Sequence, residues 1–329
     1  MELLDALKFA RGTVAKRDLL PALTHFRIHD GVIQSYNGVA SLRAPVAIDL
    51  DVTPKAVPMV RAITNCQEEV ALHVTGNGRL AIKSGPFRAY VDCTTDPFPE
   101  IEPEGDMYDI GYELLAALSV LKPLISKDAS RPWSRGLLIA GGSAFATNNI
   151  ILSEYWLGGA QTIAVNIPAQ TVDEMLRINR EPVRMQLSHK SATFYYSEDT
   201  WLTTSLLDLE WPEVRALLPD TTPDDNITLD EQFYAALDNV APFTGKGNAV
   251  ILDGSTMRTH ADTDTGAAYQ LEQEGMPRCA FSVTQLRALA HLTPLIGLSA
   301  YPRPCQWVSK CGAVRGAIAG MSVDSLGDL

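Results

Sequence analysis

The sequence lacks the features of membrane-spanning and disulfide-bonded proteins. No apolar run approaches the ~18 residues that a membrane-spanning helix needs, and the acidic N-terminus, Met1–Asp5, contains no secretory signal. The 329 residues include only 5 cysteines, which are scattered and form no CxxC pair. We therefore expect reduced thiols, no zinc site and a cytoplasmic location.

Motifs of catalysis and cofactor binding are also missing. No Gly-rich phosphate loop follows a strand-like segment, and no serine lies in a GxSxG stretch. None of the 6 histidines has the HExxH spacing of a zinc enzyme. Asp262–Gly266 begins like a calcium loop, but Gln273 stands where such a loop needs its bidentate glutamate. We predict no catalytic residue, cofactor or metal, although a missing motif does not exclude an enzyme.

Positive charge is scarce in the chain as a whole. Lys and Arg number 27 against 39 Asp and Glu, which gives a net charge of −12. This balance argues against a protein that coats nucleic acid by bulk attraction. It leaves room for a local basic surface on an acidic body.

The chain contains a long-period internal repeat. The aromatic-Pro-Glu strings Phe98–Glu100 and Trp211–Glu213 lie 113 residues apart (211 − 98 = 113). Each string follows a strand-like segment and precedes a connector rich in Pro and Asp, at 101–106 and at 219–226. The connectors are the best linker candidates in the sequence.

Helix start signals recur at nearly the same interval of 114 and 115 residues (168 − 54 = 114; 283 − 168 = 115). The signals, which pair a capping residue or proline with the first helical position, are Thr53-Pro54, Pro168-Ala169 and Ser282-Val283. An amphipathic helix is also predicted at the start of each third: Leu3–Lys16, Tyr112–Lys127 and Leu229–Val240.

Each third therefore reads as helix, strands, helix, strands. Because strands and helices do not alternate singly, a doubly wound nucleotide-binding fold is disfavoured. We predict an α+β fold of three tandem repeats, each with two helices on one face of antiparallel sheets. The predicted domains are 1–105, 106–222 and 223–329, the last ending in a short C-terminal tail.

Five strings carry a resemblance to a known family by their order and spacing: Arg17–Leu23, Leu80–Gly85, Ser134–Leu138, Leu207–Pro219 and Ala317–Val323. Together they resemble the β subunit of bacterial DNA polymerase III, the DNA sliding clamp, over about 16–323. The resemblance implies a head-to-tail homodimer that closes as a ring around duplex DNA without reading its sequence. Such a ring is a processivity factor that tethers the replicative polymerase and meets the polymerase and the clamp loader through short linear peptides.

The resemblance implies that cations of the repeat helices face DNA phosphates inside the ring. The candidates are Lys8, Arg11, Lys16, Arg17, Lys55, Arg61, Lys122, Lys127, Arg131, Arg177, Arg180 and Arg287. The first helix of the last third instead carries Asp230, Glu231 and Asp238. We therefore expect the first two repeats to make most of the DNA contacts. The alternative for any of these cations is an ordinary solvated helix face.

A second site implied by the resemblance is a partner-peptide cleft between the second and third domains. Carried over by position, it comprises Thr147, Asn149, Leu152, Pro219, Gly320, Met321 and Val323. Leu152, Met321 and Val323 would form apolar walls, and ordinary strand packing is the alternative. Ile150 and Ile151 replace a polar pair of the family, so a different peptide preference is expected. Such departures would suit a divergent, phage-encoded member.

Two rival interpretations remain at this stage. One is an α+β enzyme with an unrecognised active site, against which the threefold repeat argues because catalysis does not require three equivalent units. The other is a clamp-derived module that has lost partner binding, which the altered Thr147–Leu152 loop would suit.

Overall fold

The computed structural model describes residues 2–17, 20–110, 113–158, 163–208, 210–260 and 265–322. The described residues form six α-helices: α1 (Leu3–Ala10), α2 (Ala56–Thr64), α3 (Leu114–Leu121), α4 (Ala169–Ile178), α5 (Glu231–Val240) and α6 (Val283–Ala288). Two helices fall in each predicted third, in agreement with the predicted repeat. None of these helices has the length and apolarity that crossing a bilayer requires.

The strands follow the same repeat. The first third contributes β1 (Arg27–His29), β2 (Val32–Tyr36), β3 (Ala40–Pro45), β4 (Ala71–Val74), β5 (Leu80–Ser84) and β6 (Phe87–Val91). The second contributes β7 (Asp106–Tyr108), β8 (Gly136–Ala140), β9 (Ser143–Thr147), β10 (Ile151–Trp156), β11 (Ala164–Pro168), β12 (Arg184–Leu187), β13 (Ser191–Ser197) and β14 (Thr200–Ser205). The last contributes β15 (Asn226–Thr228), β16 (Ala249–Gly254), β17 (Thr256–Arg258), β18 (Ala268–Gln270), β19 (Met276–Ser282), β20 (Pro294–Gly297), β21 (Cys305–Ser309) and β22 (Val314–Ile318).

These strands form four sheets, which confirms the predicted α+β class. Their strand orders are β1-β2-β3-β14-β13-β12-β7, β11-β8-β9-β10-β22-β21-β20-β15, β18-β17-β16-β19 and β4-β5-β6. Turns at Asp30-Gly31, Gly141-Gly142 and Gly254 close hairpins, with backbone φ angles of +48° to +77° at these residues. Such positive angles favour Gly and Asp.

Helical periodicity correctly identified the buried faces. In the predicted amphipathic helix of the second third, Leu114, Leu118 and Leu121 recur at helical spacing, and all three are buried. The predicted N-cap at Thr53 is wrong, because Pro54 and Lys55 are extended and form bridges with Cys93 and His25. The first helix is shorter than predicted, since it passes into a 3₁₀ turn at Arg11–Thr13.

The described residues divide into two compact units. One comprises 1–115 with 167–208, and the other 116–166 with 209–329. In the first, Leu7 of α1 and Met59 of α2 share a core with Ile33 of β2 and Leu80 of β5. The three predicted domain boundaries stay predictions.

Two strand pairs join neighbouring repeats, and we call them junctions. In the first junction, β3 pairs antiparallel with β14, and Arg43 lies opposite Trp201. In the second junction, β10 pairs antiparallel with β22, and Glu154 lies opposite Arg315. The sheets are therefore continuous from one repeat to the next.

Candidate nucleic-acid and peptide interfaces

A cationic cleft of about 750 Å³ lies in the first unit. Lys8, Arg11 and Lys16 line it from α1 and the following turn, and Arg177 lines it from α4. The Arg177 guanidinium donates to the backbone carbonyls of Lys8 (3.2 Å) and Phe9 (2.8 Å) at the end of α1. Its Nε also lies 2.6 Å from a Glu174 carboxylate oxygen. Three exposed cations thus surround one arginine that is held in place.

The remaining predicted cations of this unit are exposed: Arg17, Lys55, Arg61 and Arg180. Arg180 is oriented by Tyr196, since it donates to the Tyr196 carbonyl at 2.8 Å and its guanidinium lies 5.7 Å from the ring centroid. Burial raises the pKa of the Tyr196 hydroxyl, so this ring stays neutral beneath the arginine. The structure thus brings together Lys8, Arg11, Lys16 and Arg177 in one cleft.

In the second unit, Lys122, Lys127, Arg131 and Arg287 are also exposed. Arg131 donates to the Asn149 side-chain oxygen at 3.3 Å. Arg287 lies 2.6 Å from the Asp238 carboxylate, which offsets its charge locally. The Asp230 carboxylate accepts a hydrogen bond from the backbone N–H of Phe233 at 3.0 Å and so caps the N-terminus of α5. This role explains why one of the acidic residues stands at the start of this helix.

The predicted peptide cleft begins at a tight turn between β9 and β10. Asn149 has a φ of +72°, and its backbone N–H donates to Thr147 Oγ1 at 2.9 Å. Thr147 Oγ1 donates in turn to the Ile151 carbonyl at 2.7 Å. The Asn149 side chain donates to Ser126 Oγ at 3.1 Å. Both predicted polar residues therefore shape the turn.

An apolar cluster, which we call the Leu152 cluster, lies beside this turn. Leu152 packs with buried Phe145 and Leu218, and partly buried side chains surround these three: Leu138, Ala140, Trp211 and Val214. Pro219, the next predicted residue, is buried directly after Leu218. Trp211 also contacts Trp133 edge to face, with ring centroids 5.1 Å apart.

Sequence reasoning missed most of this cluster. Trp211 belongs to a repeat marker and to the Leu207–Pro219 string but was not predicted as a cleft residue, and Phe145 and Trp133 lie in no marker or string. Phe145 could have been found from the hairpin, because it pairs with Glu154 and therefore lies on the same sheet face as Leu152.

The end of the described chain reaches the same region. The Ala319 amide donates to the Ile150 carbonyl at 2.9 Å, which continues the pairing of β22 with β10. Met321 then turns toward β19: its amide donates to the Ala280 carbonyl at 2.8 Å, and it packs against Ala249, Ile251 and Ala280. Met321 thus belongs to a different apolar cluster from Leu152.

Gly320 lies between these two contacts, and a Cβ there would meet the Tyr301 ring 2.5 Å away. The Tyr301 hydroxyl donates to the Met321 carbonyl. Val323 and the C-terminal tail lie outside the described residues, as do Asp262–Asp264 of the discounted calcium loop. Across the described ranges, no group of three or more His, Cys, Asp or Glu side chains could hold a metal ion.

Comparison with solved structures identifies this architecture. The chain superposes on a DNA polymerase sliding clamp from Caulobacter crescentus with a TM-score of 0.82 and 19% identity, over 98% of this chain and 97% of that one. The clamp from Bacillus subtilis gives 0.80 and 15%, over 97% of each chain. A Bartonella birtlesii clamp bound to griselimycin gives 0.81 and 19%, also over 97% of each.

No protein-family model matches the sequence, and no curated protein is similar to it. The superpositions nevertheless show that the chain has the sliding-clamp fold along nearly its whole length. This confirms the fold that the sequence resemblance implied.

Proposed function

We propose that this chain is a DNA sliding clamp that encircles duplex DNA and tethers a replicative polymerase. The observation that carries the proposal is the repeated junction between repeats. Each repeat contains two groups of three consecutive, paired strands. The first groups end in β3, β10 and β18, and the second groups end in β6, β14 and β22. Each junction pairs the last strand of a first group with the last strand of a second group.

Two of three possible junctions form within the chain. β3 pairs with β14 and β10 pairs with β22, which leaves β6 and β18 as sheet edges among the described residues. Exposed edges invite pairing with another chain. Tyr90 in β6 and Tyr269 in β18 are 61% and 41% exposed. A second copy, joined β6 to β18 at both ends, would cover all four edges and close a head-to-tail ring.

The register of the two described junctions predicts the register of the third. Gln34, Phe145 and Arg258 each lie two residues after the residue that closes a hairpin turn (Val32, Ser143 and Thr256). Their partners on the next strand are Arg43, Glu154 and Ala268. Arg88 and Trp201 each follow the residue that closes their own hairpin turn. In the same register, Arg88 would lie opposite Ala268 of the partner subunit.

Topological linkage explains how a protein with a net negative charge can remain on DNA. A ring stays on DNA because it is closed, so its lumen needs only scattered cations facing phosphates. The cleft of Lys8, Arg11, Lys16 and Arg177 supports this role. A net charge of −12 is compatible with it, since bulk attraction is not required.

The Leu152 cluster supports the second half of the proposal, docking of short linear peptides from the polymerase and the clamp loader. Apolar grooves with polar rims bind such peptides by burying a few anchor side chains. We propose that Leu152, Leu218 and Trp211 receive the anchors, and that Thr147 and Asn149 fix the rim. The proposal includes a cytoplasmic location and the role of a scaffold without enzymatic activity.

Retention on DNA tests the function directly. The purified protein should survive a high-salt wash on nicked circular DNA but slide from the same DNA after linearisation. Equal loss from both forms would refute topological binding. A dimer that is retained on circles but binds no polymerase peptide would favour the rival interpretation, a clamp-derived module without partner binding.

A further inference from the structure

One segment, Trp211–Pro219, forms a wall of the Leu152 cluster without belonging to a strand. It contributes Trp211, Val214 and Leu218 to the cluster. Apart from a short 3₁₀ turn at Arg215–Leu217, regular secondary structure does not hold it. Its position therefore depends on side chains that bind its backbone or extend from it.

Three polar contacts fasten this segment to the eight-stranded sheet. Arg215 donates to the Ala140 carbonyl at 3.3 Å, and Gln306 of β21 donates to the Leu217 carbonyl at 3.1 Å. Arg315 of β22 donates to the Pro219 carbonyl at 2.6 Å. Two of the three donors are charged, and the contact from Arg315 is the shorter of these two, which makes it the strongest of the three.

Glu154 orients Arg315 for this contact. The two residues lie opposite each other in the second junction, and Arg315 Nε donates to Glu154 Oε2 at 2.6 Å. The Glu154 side chain is only 6% exposed and that of Arg315 is 34% exposed. A nearly buried carboxylate thus holds one edge of the guanidinium while a terminal nitrogen reaches Pro219.

The first junction contains a related arginine contact. Arg43 lies opposite Trp201, with its guanidinium 6.0 Å from the ring centroid, and reaches Glu102 at 3.2 Å. Glu102 lies in the connector after Phe98-Pro99, just as Pro219 lies in the connector after Trp211-Pro212. Arg43 and Arg315 belong to equivalent cross-strand pairs but lie on opposite strands of them, Arg43 on β3 and Arg315 on β22. In each junction, an arginine of this pair therefore contacts a connector.

We infer that Arg315 is a positioning residue that holds the Trp211–Pro219 segment against the sheet and so sets the width of the peptide cleft. It acts through the segment and does not itself form the cleft wall. The consequence for peptide binding rests on the proposed function, whereas the fastening of the segment does not.

The test compares Arg315→Lys with the matched control Arg43→Lys. Lysine keeps the positive charge near Glu154 but has no fork that can reach two acceptors at once. Arg315→Lys should therefore remain folded and dimeric. Its amide hydrogens at Leu217 and Leu218, which bond to the Val214 and Arg215 carbonyls, should exchange at least several-fold faster. Arg43→Lys should leave both exchange rates unchanged.

A second readout is affinity for a fluorescein-labelled peptide that carries the clamp-binding motif of a replicative polymerase. Arg315→Lys should weaken its binding about tenfold, the effect of losing one charged hydrogen bond that orders the wall. Arg43→Lys should bind as the wild type does.

The two readouts separate the possible failures. Unchanged exchange at Leu217 and Leu218 in Arg315→Lys would overturn the inference, and so would faster exchange with wild-type peptide affinity. A wild-type protein that binds no such peptide would refute peptide docking in the proposed function. In that case, faster exchange at Leu217 and Leu218 in Arg315→Lys would still uphold the fastening of the segment.

Discussion

The guanidinium of Arg177 donates to the backbone carbonyl of Phe9 at 2.8 Å and thereby ties α4 to the end of α1. The same group donates to the Lys8 carbonyl and pairs with Glu174. Helix ends leave carbonyls without partners, so a cation at this position satisfies them and opposes the negative end of the helix dipole. This contact fixes the geometry of the cationic cleft.

Arg177→Gln should therefore destabilise the protein by about 1–2 kcal/mol, a value reduced for the partial exposure of the group. Urea denaturation measures it. Lys8→Gln removes a charge from the same cleft without these bonds and should change stability by less than about 0.5 kcal/mol. Equal effects would show that Arg177 is only one more surface charge.

Removing the charges of the cleft should weaken DNA association without opening the ring. In the triple variant of Lys8, Arg11 and Lys16 to glutamine, the slope of log affinity against log salt for linear DNA should fall by about 2–3. The matched control changes three exposed lysines outside the helices to glutamine: Lys83, Lys190 and Lys310. A slope that falls as much in the control would contradict placement of the cleft on DNA.

Gly105 should tolerate no side chain. Its φ is +94°, and a Cβ there would overlap the carbonyl of Leu187, where the first connector meets β12. Gly105→Ala should cost about 3 kcal/mol or more, since strain and overlap add. Gly76→Ala, in open space, should cost less than about 1 kcal/mol. Thermal unfolding of both variants decides the point.

Leu152→Ala should abolish peptide binding while the dimer persists. Leu152 lies in the proposed groove, and its truncation should also cost about 2–3 kcal/mol because the residue is buried. Met321→Ala should weaken the same peptide less, since Met321 packs against Ala249 and Ile251 instead. Fluorescence anisotropy measures binding, and a reversed order of effects would show that the groove centres on Met321.

Cysteine alkylation should be selective for Cys311. A hydrogen bond from Ser309 lowers the pKa of this exposed thiol, whereas burial raises the pKa of Cys279 to about 12 and of Cys305 to about 11. Because the thiolate reacts, Cys311 should be labelled first at every pH up to 9. Its rate should level off at a lower pH than that of an ordinary thiol.

Ser309→Ala should move that plateau to higher pH, because the thiolate loses a donor. Mass spectrometry of iodoacetamide adducts measures both effects. Comparable labelling of Cys279 in the folded protein would contradict the described burial.

The features that sequence could predict are those with local causes. The 3.6-residue spacing of Leu114, Leu118 and Leu121 fixes a buried helix face, and Asp-Gly and Gly-Gly pairs fix hairpins. The cap at Thr53 failed because the bridges of Pro54 and Lys55 to distant residues override a local preference. Periodicity gives no information on such long-range pairing.

The candidate site also combines residues that sequence patterns can indicate with contacts that depend on long-range strand pairing. Resemblance named Leu152 and Pro219 as candidates, and the repeat indicated the helices that carry the candidate cations. The pairing of Glu154 with Arg315, 161 residues apart, depends on the register of β10 with β22. One sequence does not encode that register in any local pattern, so the fastening of the Trp211–Pro219 segment became visible only in the structure.

The central claim is a ring of two chains closed at β6 and β18, and cross-linking on DNA tests it most directly. Arg88→Cys and Ala268→Cys, combined with Cys311→Ser, should form disulfides between chains because the predicted register places the two residues opposite each other. After oxidation on nicked circular DNA, the covalently closed dimer should stay linked to the circle through denaturation in detergent, and should leave once the DNA is cut. Release from intact circles despite complete cross-linking, or failure of these two cysteines to pair, would contradict the account.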